Sequence, residues 1–226
     1  MPSCGSFTPD SVSSANPARD RTVLQFVHHR GTPVLQIEGI PPMSKRALLL
    51  IDLQNDYFSE GKWPLSGTDA AAGNAARLIA AARAKGELVV HVRHESKTAD
   101  APFFVPGSQG AAIHQKVAPT ATEPVVVKHH INSFRETGLK EILDRNGIEE
   151  LVVCGAMSHM CIDGGVRAAA DLGYRCTLIH DACATRDLEF GGVRVPAAQV
   201  HAAFMAALSF AYAKTLSTDE FLARSA

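Results

Sequence analysis

The stretch that decides the fold is ELVVCGAMSHMCIDGGVRAAADLGYRCTLIH, residues 150–180. It holds two continuous apolar runs, ELVVCG (150–155) and RCTLIH (175–180), on either side of an amphipathic segment that ends at Gly173. Continuous runs of this length are typical of strands buried on both faces, and a helix between two such strands indicates a parallel crossover. The stretch therefore predicts a strand, a helix over 162–172 and a second, parallel strand.

The same alternation extends along the chain from Arg46. Further apolar runs predict strands at ALLLI (47–51), ELVVHV (87–92), PVVVK (124–128) and AKTLS (213–217). Helical patterns lie between them at 74–84, from Thr137 to Gly147, at 196–210 and around 219–222. We therefore expect an α/β fold, a three-layer, doubly wound, Rossmann-like and mostly parallel sheet in a single domain over residues 43–226.

Residues 1–42 differ in composition from the rest. The first twenty residues are rich in Ser, Pro, Asn and Asp and have no helical or strand period, so we expect 1–42 to be a poorly ordered N-terminal tail. TVLQFVHH and TPVLQIEG could pair as a hairpin, although an isolated hairpin is marginally stable. An alternative is that translation begins at Met43 and that the preceding residues are not part of the natural protein.

Composition excludes several classes of function. The chain has 226 residues, 46% of them hydrophobic, and a formal net charge of -1, so it lacks the basic field that non-specific nucleic-acid binding needs. The most apolar stretch, 195–213, is interrupted by polar residues and Pro196, which favours a packed helix over a membrane span. We expect a small-molecule substrate and neither a nucleic-acid nor a membrane partner.

The cysteines and the N-terminus bear on the compartment. Five cysteines form no metal-type pair, which indicates reduced thiols, and no secretory signal precedes the fold, so we expect a cytoplasmic protein. The alanine-rich segment 200–213 has more apolar surface than one helix face requires. We therefore expect a homo-oligomer that buries part of it.

Three polar residues stand where predicted strands end. Asp52 follows ALLLI, Lys128 ends PVVVK, and Cys161 follows ELVVCG at the start of a helix. Each alone is more often a cap, a solvated side chain or an inert core thiol, but the carboxyl ends of parallel strands meet at one edge of a sheet. An acid, an ammonium and a thiol together suit nucleophilic attack on a carbonyl carbon, with the helix start and Lys128 lowering the thiol pKa.

Four motifs in matching order carry a family resemblance over residues 45–222. IDLQNDYF (51–58), VVVKHHINSF (125–134), CGAMSHMCIDGGVRAAADLGY (154–174) and HDACAT (180–185) resemble the isochorismatase-like cysteine hydrolases. That superfamily includes nicotinamidase, N-carbamoylsarcosine, ureidoacrylate and biuret amidohydrolases, a streptothricin hydrolase and the isochorismatases. The resemblance implies a hydrolase.

The resemblance also implies roles for residues. Asp52, Lys128 and Cys161 match the catalytic Asp, Lys and Cys of the family, and its non-proline cis peptide falls at Ala156-Met157, with the Met157 and Cys161 amides as the oxyanion hole. A catalytic cysteine at this position favours cleavage of an amide, ureide or lactam C–N bond through a thioester. We expect further pocket contacts from an aromatic-lined cleft with few charges, which suits a small, neutral or mildly polar substrate; the candidates are Tyr57, Trp63, His94, Phe103, Phe104 and His129, beside Met157.

Two departures from relatives matter. Nicotinamidases hold a metal with an Asp-x-His motif and further histidines, whereas this chain has His91 and His94 without the carboxylate, so we expect no metal and no cofactor. One of the two rings should point to the core and the other to the cleft. Gly164 and Gly165 stand early in the helix after Cys161, where they could widen the pocket floor or loosen subunit packing.

Alternatives remain. Within the hydrolases, the runner-up is an isochorismatase-type enzyme that cleaves a vinyl ether with Asp52 and without covalent catalysis. A dinucleotide-binding oxidoreductase has the same layers, but DLQNDY follows the first strand where a Gly-rich phosphate loop would be needed. A third alternative is a non-catalytic oligomeric scaffold, in which Cys161 would not react with alkylating reagents.

Overall fold

The computed structural model describes residues 24–29, 32–37 and 45–224, the first two ranges by their backbone. Contacts divide the chain into two units, Met1–Met43 and Ser44–Ala226, which are described separately. In the first unit, β1 (Leu24–His29) and β2 (Thr32–Ile37) pair as the antiparallel hairpin that the sequence suggests. The predicted tail over 1–20 lies outside the described residues, and the division at residue 43 into a tail and a single domain stays a prediction.

The second unit is built on a six-stranded sheet in which every neighbouring pair of strands is parallel. The strand order is β10-β7-β6-β3-β4-β5. The strands are β3 (Arg46–Ile51), β4 (Leu88–His94), β5 (Val125–Lys128), β6 (Glu150–Ala156), β7 (Arg175–Ala184) and β10 (Ala213–Leu216). The predicted doubly wound α/β class is confirmed.

Helices cover both faces of the sheet. They are α1 (Thr68–Ala84), α2 (Leu139–Arg145), α3 (Asp163–Asp171), α4 (Ala197–Ala211) and α5 (Thr218–Arg224). Side chains alternate along β3, so Leu48 and Leu50 pack with α1 and α5, whereas Leu49 and Ile51 pack with α2, α3 and α4. This two-sided burial explains why the strands are continuously apolar. Within the described ranges, no helix is long and apolar enough to cross a membrane.

The structure differs from the predicted elements in three places. α1 begins six residues before the predicted start at residue 74, and its added first turns bury Ala71 and Ala72. β7 continues to Ala184 rather than ending at His180, since a register shift against β6 lets pairing resume at Cys183. A short hairpin, β8 (Leu188–Phe190) with β9 (Val193–Val195), was not predicted.

Gly164 and Gly165 serve close packing of α3. A Cβ on Gly165 would lie 3.1 Å from Ile51 Cδ1, and one on Gly164 would lie 3.0 Å from Ile131 Cγ2. The glycines therefore let the first turn of α3 approach β3 and the loop after β5. This role differs from both of the alternatives that the sequence suggested.

Candidate active site

The predicted site residues come together at one edge of the parallel sheet. Asp52 follows β3, His94 and Lys128 are the last residues of β4 and β5, and Cys161 follows β6. These four strands are adjacent in the sheet, so their carboxyl ends converge. Asp52, Lys128 and Cys161 are all buried. The topology alone therefore collects an acid, an ammonium, an imidazole and a thiol.

Lys128 lies at the centre of this group. Its Nζ is 2.7 Å from Asp52 Oδ2, 2.9 Å from His94 Nδ1 and 3.2 Å from Cys161 Sγ. The contacts with His94 and Cys161 have hydrogen-bond geometry, whereas the contact with Asp52 is an ion pair in which neither carboxylate oxygen accepts a hydrogen bond. His94 accepts at Nδ1, which places the proton of the neutral ring on Nε2. Burial lowers the pKa of Lys128, but the nearby Asp52 carboxylate and the Cys161 sulfur outweigh burial and raise it.

The charge balance corrects one prediction. The sequence suggested that Lys128 and the helix start would lower the thiol pKa, but burial, followed by the Asp52 charge, raises the pKa of Cys161 even though Lys128 opposes this. Simple titration near neutral pH therefore leaves Cys161 as a thiol. A thiolate at neutral pH requires transfer of the thiol proton to a group inside the site.

The segment before α3 shapes the surroundings of Cys161. Residues Ser158–Ile162 form a π-helical turn, in which Ile162 N–H donates to Met157 O over 3.2 Å. The peptide bond Ala156-Met157 is cis, at the position that the resemblance implies. From behind, His201 Nδ1 on α4 lies 2.9 Å from the buried Ser158 Oγ. The turn that carries Cys161 is thus tied to α4 through Ser158.

An aromatic cluster lies beside the polar group. Tyr57 and Phe104 are buried with ring centroids 4.6 Å apart, and Phe103 stacks on Trp63 at 4.8 Å. Burial raises the pKa of the Tyr57 hydroxyl, and the negative charge of Asp52 raises it further. Met157 packs in the same cluster. The structure therefore brings the predicted aromatic residues together next to the predicted catalytic ones.

The histidines divide as expected from their spacing. The His91 ring is buried, with Nε2 3.2 Å from Glu123 Oε2, while His94 faces Lys128. Burial, followed by the Lys128 charge, lowers the pKa of His94 to about 4. His129 is exposed, and its Nδ1 lies 2.7 Å from Glu95 O, so it sits at the rim of the group rather than inside it.

Three residues that contribute to the site were not predicted. Gln54 clamps the His94 backbone, accepting from its N–H at 2.7 Å and donating to its carbonyl at 2.8 Å. Asp56 is buried and accepts the Phe104 N–H at 2.7 Å. Arg186 lies with its Cζ 4.3 Å from the Trp63 ring centroid. Gln54 and Asp56 belong to the quoted motif IDLQNDYF, where their polar side chains after a buried strand were a usable signal; Arg186 offered none.

The residues do not fit a bound metal in the nicotinamidase manner. Among the described residues, the one group with metal-ligand spacing is Asp52, His94 and Cys161, whose ligand atoms lie within 4.8 Å of one another. All three contact Lys128 Nζ, so an ammonium already stands where a cation would bind. His91 is not a further ligand of this group, because its buried ring is paired with Glu123.

Known proteins match most of this chain in sequence. A model of the isochorismatase domain matches residues 46–220. The isochorismatase family protein YddQ of Bacillus subtilis, itself uncharacterised, is 49% identical over 176 residues, which span 78% of this chain and 98% of YddQ. A maleamate amidohydrolase of Pseudomonas putida is 32% identical over 157 residues, or 63% of this chain and 73% of that protein.

A solved structure has the same fold. It is that of a proposed isochorismatase hydrolase from Oleispira antarctica, with a TM-score of 0.79 and 61% sequence identity. The match covers 82% of this chain and 100% of that one. Most of the chain therefore has a counterpart in an experimentally determined structure.

Proposed function

The chain belongs to the isochorismatase family and is a hydrolase, and from that premise we propose that it cleaves a carbon-nitrogen bond of a small amide, ureide or lactam through a thioester on Cys161. One observation carries the proposal: Lys128 Nζ bridges Asp52 and Cys161, at 2.7 Å and 3.2 Å, in a buried group. That arrangement has an acid-base residue, a charge to stabilise a thiolate, and the thiol itself. The relative named maleamate amidohydrolase supports an amide-type bond.

The first half-reaction follows from this geometry. Asp52 accepts the Cys161 thiol proton, and the thiolate sulfur attacks the carbonyl carbon while Lys128 stabilises its charge. The carbonyl oxygen becomes an oxyanion, for which we propose the Met157 and Cys161 amides as donors. The C–N bond then breaks, and Asp52 returns the proton to the departing nitrogen. An amine or ammonia leaves, and the acyl group remains on sulfur.

The second half-reaction uses the same groups. Water attacks the thioester carbon, Asp52 accepts the water proton, and the C–S bond breaks to release the acid. The proton returns to the Cys161 sulfur, so the site regains its initial state. No step needs a metal, and we expect activity to survive exhaustive chelation, whereas stoichiometric zinc, iron or manganese that activity requires would contradict this.

Two variants distinguish C–N hydrolysis from vinyl-ether cleavage. On a panel of small amides, ureides and isochorismate, Cys161→Ser should abolish amide turnover, and so should Asp52→Asn. Intact-mass measurement after rapid acid quench should detect an acyl adduct on wild type and none on Cys161→Ser. Cys176→Ser, a buried thiol away from the site, is the matched control and should retain turnover.

The competing function predicts another pattern. An isochorismatase-type enzyme would cleave isochorismate in Cys161→Ser and fail in Asp52→Asn. Amide turnover that persists in Cys161→Ser would overturn the thioester mechanism. We further propose that the enzyme acts in the cytoplasm on a free small molecule, because all four cysteines of the described residues are free thiols.

A further inference from the structure

The His94 ring is held in one position and in one tautomer. Lys128 has no acceptor, so its Nζ donates to His94 Nδ1 across 2.9 Å, and the proton of the neutral ring lies on Nε2. The Gln54 side chain binds the N–H and the carbonyl of His94 and also donates to Ala111 O at 2.7 Å. The ring therefore presents one fixed hydrogen-bond donor, its Nε2–H group.

This donor is unused and close to the nucleophile. Within residues 45–224 it has no acceptor, and it is not among the buried polar atoms that lack a partner, so Nε2 keeps some accessible surface. The side chain as a whole is only partly exposed. A ring nitrogen of His94 lies within 4.8 Å of Cys161 Sγ. Because one carbon separates the two nitrogens of an imidazole, Nε2 is within reach of a small acyl group on that sulfur.

The ring stays uncharged at neutral pH. Burial, followed by the Lys128 charge, lowers the pKa of His94 to about 4, and the Asp52 charge opposes this without outweighing it. The basic nitrogen, Nδ1, is occupied by Lys128. The ring is therefore not a base for the Cys161 thiol. It can donate a hydrogen bond, as neutral imidazoles do toward carbonyl oxygens in other enzymes.

The unused donor constrains the substrate. A small molecule that fills the site covers Nε2–H and displaces water from it, and a covered donor without an acceptor weakens binding. Lys128 is paired with Asp52 at 2.7 Å, so its charge is not free to attract an anion here. We propose that His94 Nε2–H donates to an uncharged carbonyl oxygen beside the scissile group. The inference rests on the proposed function and deepens it, since the substrate becomes a small amide or ureide with a second carbonyl.

Paired substrates test for the second carbonyl. 2-Oxopropanamide has a carbonyl where propanamide has a methylene beside the scissile amide, and 3-oxobutanamide differs from butanamide in the same way one carbon further out. The measured quantity is the ratio of kcat/KM for the keto amide to that for its methylene partner. We expect His94→Asn to lower this ratio about fivefold or more for at least one pair, the usual size of a lost hydrogen bond between neutral groups.

Two substitutions separate the donor from the contact with Lys128. Asparagine at position 94 can still accept from Lys128 but is too short to reach the position of Nε2, whereas glutamine extends its amide nitrogen to that position. His94→Gln should therefore keep the ratio near that of wild type, even if turnover of both amides falls. The control His180→Asn, the same change at a partly buried ring on β7, should leave both rates unchanged. An unchanged ratio in His94→Asn, or an equal loss in both His94 variants, would overturn the proposal.

Nitrogen NMR of the histidine rings tests the donor without turnover. His94→Asn identifies the resonances, and in wild type we expect Nδ1 to be unprotonated and Nε2 protonated from about pH 6 to 8. In Cys161→Ser, which should bind amides without cleaving them, at least one keto amide should shift the Nε2–H proton downfield, and its methylene partner should not. A ring protonated on Nδ1, a ring that titrates in this range, or a proton unmoved by both keto amides would contradict the proposal.

The two measurements separate this inference from the proposed function. If wild type hydrolyses no amide while a keto amide shifts the Nε2–H proton, the proposed C–N hydrolysis fails and the His94 contact stands. If amides are hydrolysed through an acyl adduct on Cys161 but the ratio is the same in wild type and His94→Asn, the proposed function stands and the His94 contact fails.

Discussion

Lys128 Nζ donates a hydrogen bond to Cys161 Sγ over 3.2 Å inside the protein. With Asp52 ionised and the thiol protonated, the three groups carry no net charge, and they still carry none after the thiol proton moves to Asp52. The two states differ by an internal proton transfer, so the balance between them does not depend on pH. A thiol whose pKa is raised by burial and by Asp52 can therefore act as a nucleophile at neutral pH.

Asp52→Asn should lower both the reactivity of Cys161 and turnover. Asparagine cannot take up the thiol proton, and burial, the first cause of the raised Cys161 pKa, remains in the variant. Alkylation of Cys161 by iodoacetamide at pH 7 should become slower, and turnover should fall at least about 100-fold because the proton acceptor is lost.

Peptide mass spectrometry measures this alkylation site by site. Cys176, whose pKa burial raises to about 11, serves as the internal reference. Lys128→Met should slow Cys161 alkylation, since its ammonium is the group that lowers the thiol pKa. Faster alkylation in Asp52→Asn than in wild type would show that Cys161 does not depend on Asp52 to give up its proton.

His94 should make stability depend on pH in acid. Burial and the Lys128 charge lower its pKa from 6.5 to about 4, so between these values the unfolded chain binds a proton that the folded protein excludes. The free energy of unfolding should therefore fall as pH decreases through this window. Asparagine at position 94 keeps an uncharged hydrogen-bond acceptor and does not titrate. Between pH 7 and 4.5, the free energy of unfolding of His94→Asn should therefore fall by about 1 to 2 kcal/mol less than that of wild type, with allowance for the partial exposure of the ring.

Urea unfolding at a series of pH values measures this difference. The control is His129→Asn, the same substitution at an exposed ring close by, which should follow the wild-type pH dependence. If the free energy of unfolding depends on pH equally in wild type and in His94→Asn, then His94 is protonated alike in the folded and unfolded states.

Gly110→Ala and Gly73→Ala should have effects of opposite sign. A Cβ on Gly110 would lie 2.2 Å from Asp56 Oδ1, so the buried carboxylate must move, at a cost of about 2 to 3 kcal/mol in the free energy of unfolding. A Cβ on Gly73, within α1, meets nothing within 4 Å, and alanine should stabilise the helix by about 0.5 to 1 kcal/mol. Chemical denaturation measures both changes in the free energy of unfolding. If Gly110→Ala leaves it unchanged, the Asp56 carboxylate can move at little cost.

The exposed face of α4 should mediate self-association. Phe210 is 92% exposed near the end of this helix, among alanines that are also exposed. Sedimentation at micromolar concentration should give an oligomer, and Phe210→Glu should shift it toward the monomer. A monomeric wild-type mass would refute this prediction.

The catalytic residues could be predicted from the sequence, whereas the contacts that hold them in place could not. Asp52, Lys128 and Cys161 could be found because polar residues after apolar runs share one edge in a parallel sheet. The Lys128 contact with His94 could not, since strand periodicity gives the side of a strand on which a side chain lies but no distance to a neighbour. The extension of β7 depends on a register shift against β6, and the stacking of Arg186 on Trp63 joins segments far apart in sequence. Both are properties of tertiary packing.

Asp56 matters for any attempt to redesign the substrate range. Its Oδ2 accepts the Phe104 N–H and its Oδ1 the Lys62 N–H, while its own N–H donates to Gly110 O at 2.9 Å. Segments 56–63 and 103–110 are thereby joined through one carboxylate. Exchange of 103–110 alone would leave the Asp56 carboxylate without its Phe104 partner, and exchange of 56–63 alone would remove the acceptor of the Phe104 N–H. A transplant should therefore move both segments together and leave the strand-end residues unchanged.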